Sequence, residues 1–199
     1  MRGFISSKKD RRLFLLALPG LLGACASNQF MAASPVPNGM TLAKSRIYVY
    51  SFMDVRDSEF GPTMLAEIDS QLVAELAKAS VTARVLRFKD SEAGKYYSTT
   101  NSGMSVPTGQ TIVGNLANEK SLAANYRLVI FPSDMRIVGA WKYYQVRWEL
   151  FDVTTNKQVW LATSQGKHLT FVKNDEDPQA RAKTIVDGFI GELRKYRLL

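Results

Sequence analysis

The sequence predicts an α+β domain, of the broad α/β class: a mixed sheet with helices packed on it, in the order βαβαβββα. Three observations carry this expectation. Leu65, Ile68, Leu72 and Leu76, and again Ala182, Val186, Phe189 and Leu193, recur at spacings of three and four, the period of a helix with one buried stripe. Residues 126–131 form a nearly unbroken apolar run that ends at Pro132, the pattern of a central strand buried on both faces. Further along, Tyr144, Val146, Trp148 and Leu150 alternate with Tyr143, Gln145, Arg147 and Glu149, so one strand carries an apolar face and a mixed face. Strands that alternate with helices and then follow one another directly call for a mixed sheet with helices layered on it.

In chain order, residues 46–52 (RIYVYSF) are β-branched and aromatic and predict the first strand. Pro62 suits the first turn of the helix that follows, because its missing N–H is one that a helix start leaves unused. Glu67, Gln71, Glu75 and Lys78 fall on the polar side of that helix. A second strand is expected over 81–88, and a weaker helix over 111–125, where Asn118, Glu119 and Lys120 interrupt the apolar stripe. After the strands at 126–131 and 143–150, residues 152–157 (DVTTNK) have turn chemistry, and the chain returns over 158–163 or a little beyond. The last helix is marked at both ends. Asp175, Glu176, Asp177 and Pro178 stand at its start and Arg194, Lys195 and Arg197 at its finish, each charge opposing the nearby end of the helix dipole.

The first 24 residues follow a different logic. Arg2, Lys8, Lys9, Arg11 and Arg12 face the single acid Asp10, and the apolar run at 13–24 is far short of the roughly 20 residues that span a bilayer. A charged start, a short apolar run and small residues in that order make an export signal. Its end, Leu22-Gly23-Ala24-Cys25, resembles the lipobox of bacterial lipoproteins. That resemblance implies cleavage before Cys25, a diacylglycerol thioether on its sulfur and a fatty acyl chain, such as palmitate, on the new N-terminus. Several chains anchor a protein stably where one does not, since each buried CH₂ contributes about 0.8 kcal/mol. In that family an Asp after the cysteine favours the inner membrane. Ala26 therefore implies the periplasmic face of the outer membrane. Arg11-Arg12-Leu13-Phe14-Leu15 also resembles the core of a twin-arginine signal, with departures at Asp10 and Leu16, and a general secretion signal carrying two arginines is the other reading.

The whole chain of 199 residues carries a formal charge of +8, from 26 basic and 18 acidic residues. Removing the five basic residues and one acid of the signal leaves 21 against 17, a net +4. This excludes a nucleic-acid footprint as the leading partner class. Residues 26–45 mix small, polar, Pro and Gly residues without periodicity. They are expected to form a lipidated tether, residues 25–45, with a mean span on the order of 25 Å. Residues 46–199 then form a single periplasmic domain.

The layout of that domain, with an apolar strand introduced by Ala123-Ala124-Asn125-Tyr126 and the wide hairpin 148–160 (WELFDVTTNKQVW), resembles periplasmic lipoprotein domains. Activators of penicillin-binding proteins and the curli-secretion lipoprotein are among them, and auxiliary lipoproteins of lipid-transporting ABC systems have a similar outline. The resemblance implies a domain that binds partners and does no chemistry.

The residues themselves agree with little chemistry. His168 is the only histidine and Cys25 the only cysteine, so neither a multi-imidazole nor a cysteine-cluster metal site is expected, and no cofactor motif is present. No G-x-S-x-G elbow accompanies His168. Gly109 with Gly114 and Gly188 with Gly191 lack a phosphate-loop context and suit packing or turns. Asp54, Asp57 and Glu59, after the first strand, and Asp134, after the third, could meet at the carboxyl edge of the sheet as the acids of a small envelope hydrolase. As solvated loop acids neutralised by Arg56 and Arg136 they would do nothing of the kind.

Two candidate partner-binding regions remain. The long polar stretch 89–110 carries the paired aromatics Tyr96 and Tyr97 and suits either an adaptable binding loop or an insertion without function. Trp141, Tyr143 and Arg147 are expected on the mixed face of the hairpin strand, a second contact patch if no helix covers it. The expected function is a membrane-anchored, non-catalytic interaction or scaffold module for an envelope machine, with an envelope protein as its partner.

Overall fold

The computed structural model describes residues 29–32, 36–37, 39–53, 60, 62–88, 97–99, 105–107, 116–169 and 178–199. The elements are β1 (Gln29–Ala32), β2 (Arg46–Ser51), α1 (Pro62–Lys78), β3 (Thr82–Arg87), β4 (Tyr97–Thr99), β5 (Ser105–Pro107), α2 (Leu116–Leu122), β6 (Tyr126–Val138), β7 (Trp141–Asp152), β8 (Gln158–Leu169) and α3 (Pro178–Lys195). Six strands form one mixed sheet in the order β1-β8-β7-β6-β2-β3, while β4 and β5 pair with each other in a separate hairpin. β2 runs parallel to β3 and β6; β6, β7, β8 and β1 are antiparallel in turn. The α+β class and the eight expected elements are present, with β1, β4 and β5 in addition.

Side chains alternate across this sheet, and the two faces are packed differently. On one face, Ile47, Val49, Leu128, Ile130, Val146, Trp148, Leu150, Trp160 and Ala162 meet the stripes of α1 and α3 in one buried cluster. The expected stripe residues Leu65, Ile68, Leu72 and Leu76, and Ala182, Val186, Phe189 and Leu193, are all in it. Phe189 stacks on Trp148 with ring centroids 4.6 Å apart and meets Trp160 edge-on at 5.8 Å. On the opposite face, Tyr48, Tyr50, Phe52, Phe88, Val129 and Phe131 form a smaller cluster, with Leu122 of α2 against it. No described helix is long and apolar enough to cross a membrane.

The three described helices stop in the same way. Ser80, Ala123 and Arg197 adopt positive φ (61°, 50° and 57°), and the next residue donates its N–H back to the carbonyl five positions earlier: Val81 to Leu76, Ala124 to Glu119 and Leu198 to Leu193. This is the Schellman closure, made here without glycine. Gly188 and Gly191 lie inside α3 rather than in a turn, and a Cβ at Gly191 would meet nothing within 4 Å.

Two expectations are corrected in extent. The third strand runs past Pro132 to Val138, with a register shift between Pro132 and Asp134. The proline is tolerated because β2 ends opposite Ile130, so beyond that point β6 pairs with β7 on one side and, among the described residues, with no strand on the other. Within the segment 25–45, two described stretches are bound to the domain. β1 adds to the sheet beside β8, and Leu42 is fully buried, its N–H donating to the Leu198 carbonyl at 2.8 Å. Leu42 thereby ties the entry of the domain to its C-terminus. Leu42→Ala is expected to lower unfolding stability by about 2–5 kcal/mol, the range for emptying a buried leucine site, as read by urea denaturation. A variant with unchanged stability would return the segment to the tether.

Candidate functional site

Burial of Trp148 and Trp160 against α3 leaves the other face of β7 to its alternate residues. Trp141, Tyr143, Gln145, Arg147 and Glu149 therefore share one face, and strand register extends it sideways into rows. Phe131, Arg147 and Thr163 stand in one row; Asp134, Gln145 and Gln165 in the next; Arg136, Tyr143 and Lys167 in the third; Val138, Trp141 and Leu169 in the last. Among the described residues no helix packs on these rows. The structure thus brings the sequence-selected Trp141, Tyr143 and Arg147 onto one sheet face that no described helix covers.

Each of three aromatic rings on this face has a cation over it. Lys167 Nζ lies 4.9 Å from the Trp141 ring centroid, the Arg136 guanidinium carbon 5.6 Å from Tyr143, and that of Arg147 5.9 Å from Phe131. These distances are within the roughly 6 Å over which a cation is attracted to a ring face. Asp134, Arg136, Tyr143, Gln145, Gln165 and Lys167 line a solvent-open depression of about 330 Å³. Such a surface offers hydrogen-bond donors, acceptors and ring faces side by side. Among its described side chains no nucleophile is paired with a base.

Arg147 is also bound to Glu149 at 2.9 Å, with the carboxylate largely buried. Burial holds the Glu149 carboxyl above its ordinary value of 4.5, and the Arg147 charge and hydrogen bond only partly offset this. Asp134 is a strand residue, not a loop acid, and Arg136 lies 3.6 Å from it. Asp54, Asp57, Glu59 and Arg56 lie outside the described residues, as do Cys25, Arg11, Arg12, Tyr96, Gly109 and Gly114. His168 is a β8 residue whose side chain is outside the description. Tyr97 begins β4, which pairs with β5, and β5 neighbours β6. Among the described residues no group of three His, Cys, Asp or Glu side chains is placed to hold a metal.

One polar cluster escaped the sequence analysis. Arg127, the second residue of β6, forms a two-pronged ion pair with Glu119 of α2; its Nη2 donates to Glu119 Oε2 at 2.9 Å and its Nη1 to Asn156 Oδ1 at 2.9 Å. Arg127 is 6% and Glu119 2% exposed. Tyr50 joins them: burial first, then the charge and hydrogen bond of Glu119, push its phenol far above the ordinary tyrosine value. The signal was present in the sequence as a lone arginine inside a strand buried on both faces, which demands a buried acid. Glu119, taken for a blemish in a helical stripe, is that acid.

No family model matches the chain, and no curated protein matches it. Among solved structures, the PelC dodecamer of Paraburkholderia phytofirmans is similar at 16% identity with a TM-score of 0.48, covering 82% of this chain and 95% of that one. Lipoprotein GNA1162 of Neisseria meningitidis is similar at 12% identity and TM-score 0.43, covering 76% and 99%. Protein XCC0632 of Xanthomonas campestris, of the family DUF330, follows at 11% and 0.39, covering 84% and 91%. Likeness at this level does not define a function for this chain.

Two predictions follow the electrostatics. Glu119→Ala, which strands Arg127 in the core, is expected to cost about 3–5 kcal/mol, whereas Glu119→Leu combined with Arg127→Met recovers much of that loss. Denaturation of the single and double variants measures it, and additive losses would show that the pair is not coupled. For Glu149, a folded value raised above the unfolded one means that its contribution is fully present below about pH 4.5 and is lost as pH rises through the folded value. Glu149→Gln is therefore expected to gain stability relative to the parent as pH rises from 4.5 towards neutrality. The opposite slope would show that the ion pair with Arg147 outweighs burial.

Proposed function

We propose that this protein is a non-catalytic, lipid-anchored interaction module on the periplasmic face of the outer membrane, serving an envelope assembly or transport machine. The anchor rests on the order of residues 1–25: a cationic start, an apolar run too short to span, and Leu22-Gly23-Ala24 leading into the only cysteine. What carries the interaction reading is the row of Trp141, Tyr143 and Arg147 on a sheet face that no described helix covers. Tyrosine, tryptophan and arginine concentrate binding energy at interfaces because they combine large contact area with directional polar atoms.

Tyr143 and Arg147, together with Gln145 between them, form the centre of the proposed contact for an envelope protein. The hairpin of β4 and β5, which begins at Tyr97 directly after Tyr96 and whose second strand neighbours β6, is proposed as a second contact. The Lys167–Trp141 and Arg136–Tyr143 pairs hold the aromatic rings under cations, so the surface presents both charge and contact area without rearrangement.

The test places a photo-crosslinking residue at Gln145 in the full-length protein and irradiates intact envelopes. A discrete crosslinked partner is expected, lost when Tyr143→Ala and Arg147→Ala are added, with thermal unfolding changed little. A crosslink insensitive to those substitutions would move the contact elsewhere. Cys25→Ser is expected to abolish lipid attachment, read as the mass of the N-terminal peptide, and normal processing of that variant would overturn the anchor.

A further inference from the structure

Ile137 and Val138 are the large apolar side chains most at odds with their surroundings: they are 65% and 55% exposed, the exposed large hydrophobics among the described residues. Both sit at the end of the β6–β7 hairpin, where Gly139 (φ 60°) opens a two-residue connection to Trp141. Consecutive strand residues point to opposite faces. Ile137 and Val138 therefore lie on opposite faces, and both are exposed because at the tip no described element covers either face. Behind them stand Trp141, half-buried, and the cations Arg136 and Lys167, with Lys167 over the Trp141 ring. Aliphatic residues at a protruding tip, an aromatic ring one step back and cations beside it match the layers of a membrane interface, from acyl chains to anionic headgroups.

The chain itself says which way this tip faces. Gln29 of β1 pairs with Gln165 of β8 and Ala32 with Ala162, so β1 traced back towards its N-terminus heads along β8 in the direction of Lys167 and Leu169. Leu169 is opposite Trp141, beside the tip. Only four peptide units join Cys25 to Gln29, a reach of at most about 14 Å. The lipid anchor and the aliphatic tip thus belong to the same end of the sheet, and the anchor keeps that end at the bilayer surface, where even a weak second contact is populated.

We propose that the β6–β7 hairpin tip is a second membrane contact, with Ile137 and Val138 entering the acyl boundary of an anionic bilayer while Arg136 and Lys167 meet its phosphates. The proposal rests on the lipid-anchor reading of Cys25. It fixes an orientation: the hairpin tip lies against the membrane, and Tyr143 to Arg147 rise from it along β7.

Trp141 supplies the probe, because the other two tryptophans, Trp148 and Trp160, are fully buried. The lipidated full-length protein is reconstituted into vesicles of phosphatidylethanolamine and phosphatidylglycerol containing lipids spin-labelled high on the acyl chain. Quenching of a tryptophan component that Trp141→Phe removes is expected. Ile137→Ser with Val138→Ser should lower the docked-to-undocked ratio on the order of ten-fold, and replacing phosphatidylglycerol by phosphatidylcholine should weaken docking further. Absence of quenching in protein whose Cys25 carries lipid by mass would overturn the tip contact and leave the anchor standing. Protein without lipid on Cys25 would overturn the anchor itself. Self-association abolished by the tip substitutions, without quenching, would assign the tip to a second copy of the chain and overturn the membrane contact.

Discussion

Trp148 and Trp160 lie on neighbouring strands beneath Phe189, and this three-ring contact sets the register on which the rest of the sheet depends. A slip of one residue in β7 would turn Trp148 out to solvent and Arg147 into the helices, so the buried face strongly specifies the pairing. Trp148 is pinned further by its indole N–H, which donates to Ser164 Oγ at 2.9 Å across the β7–β8 pair. Aromatic pairs of this kind contribute about 0.5–1.5 kcal/mol beyond the area they bury. The open face is a consequence of the same constraint. Once alternate residues of β7 are committed to the core, Trp141, Tyr143, Gln145 and Arg147 have one place to go, and β6 and β8 bring Arg136 and Lys167 beside them.

A second constraint holds the other half of the sheet. α2 has seven residues, too few to be stable alone, and tertiary packing must supply what local propensity does not. Glu119 attaches it to Arg127, while the same guanidinium reaches Asn156 in the β7–β8 turn, where φ is 53°. One buried arginine therefore links a short helix, the central strand and a hairpin turn. The energetic gain over an apolar substitute is small or negative for such pairs, since desolvation offsets most of the attraction. Their consequence is specificity of position: the helix can dock only where its acid meets the arginine.

Much of this architecture was legible in the sequence because it is periodic. The stripes of α1 and α3, the alternation in β7 and the unbroken run in β6 are direct images of which faces are buried. What was not legible depends on partners distant in the chain. Pro132 signals a strand end by local rules, and it is overridden because β6 has already lost β2 as a neighbour. Leu42 lies in a stretch with tether composition, and only the C-terminus, with the Leu198 carbonyl, makes it a core residue. β1 is four residues whose pairing comes entirely from β8. On the open face, the alternation that places Tyr143 and Arg147 was readable from β7 alone. The cations over their neighbours and the projection of the hairpin tip required the sheet.

These constraints divide the domain by direction as well as by face. The helical face is closed by apolar packing, and the face behind β2 by Tyr48, Tyr50, Phe52 and Phe88, whose last two rings stack at 4.4 Å. What remains is the strip formed by the far half of β6, β7 and β8. It runs from an aliphatic tip through cation-capped aromatic rings to the Arg147–Glu149 pair, so its polarity changes along the strand axis. On the proposed lipid anchor, the domain would meet two media at once: the bilayer at one end and the aqueous periplasm beyond it. A strip graded in this way could then face both without either end paying the desolvation cost of the other, because the exposed aliphatic residues are confined to the hairpin tip and the partly exposed Arg147–Glu149 pair to the opposite end of the strip.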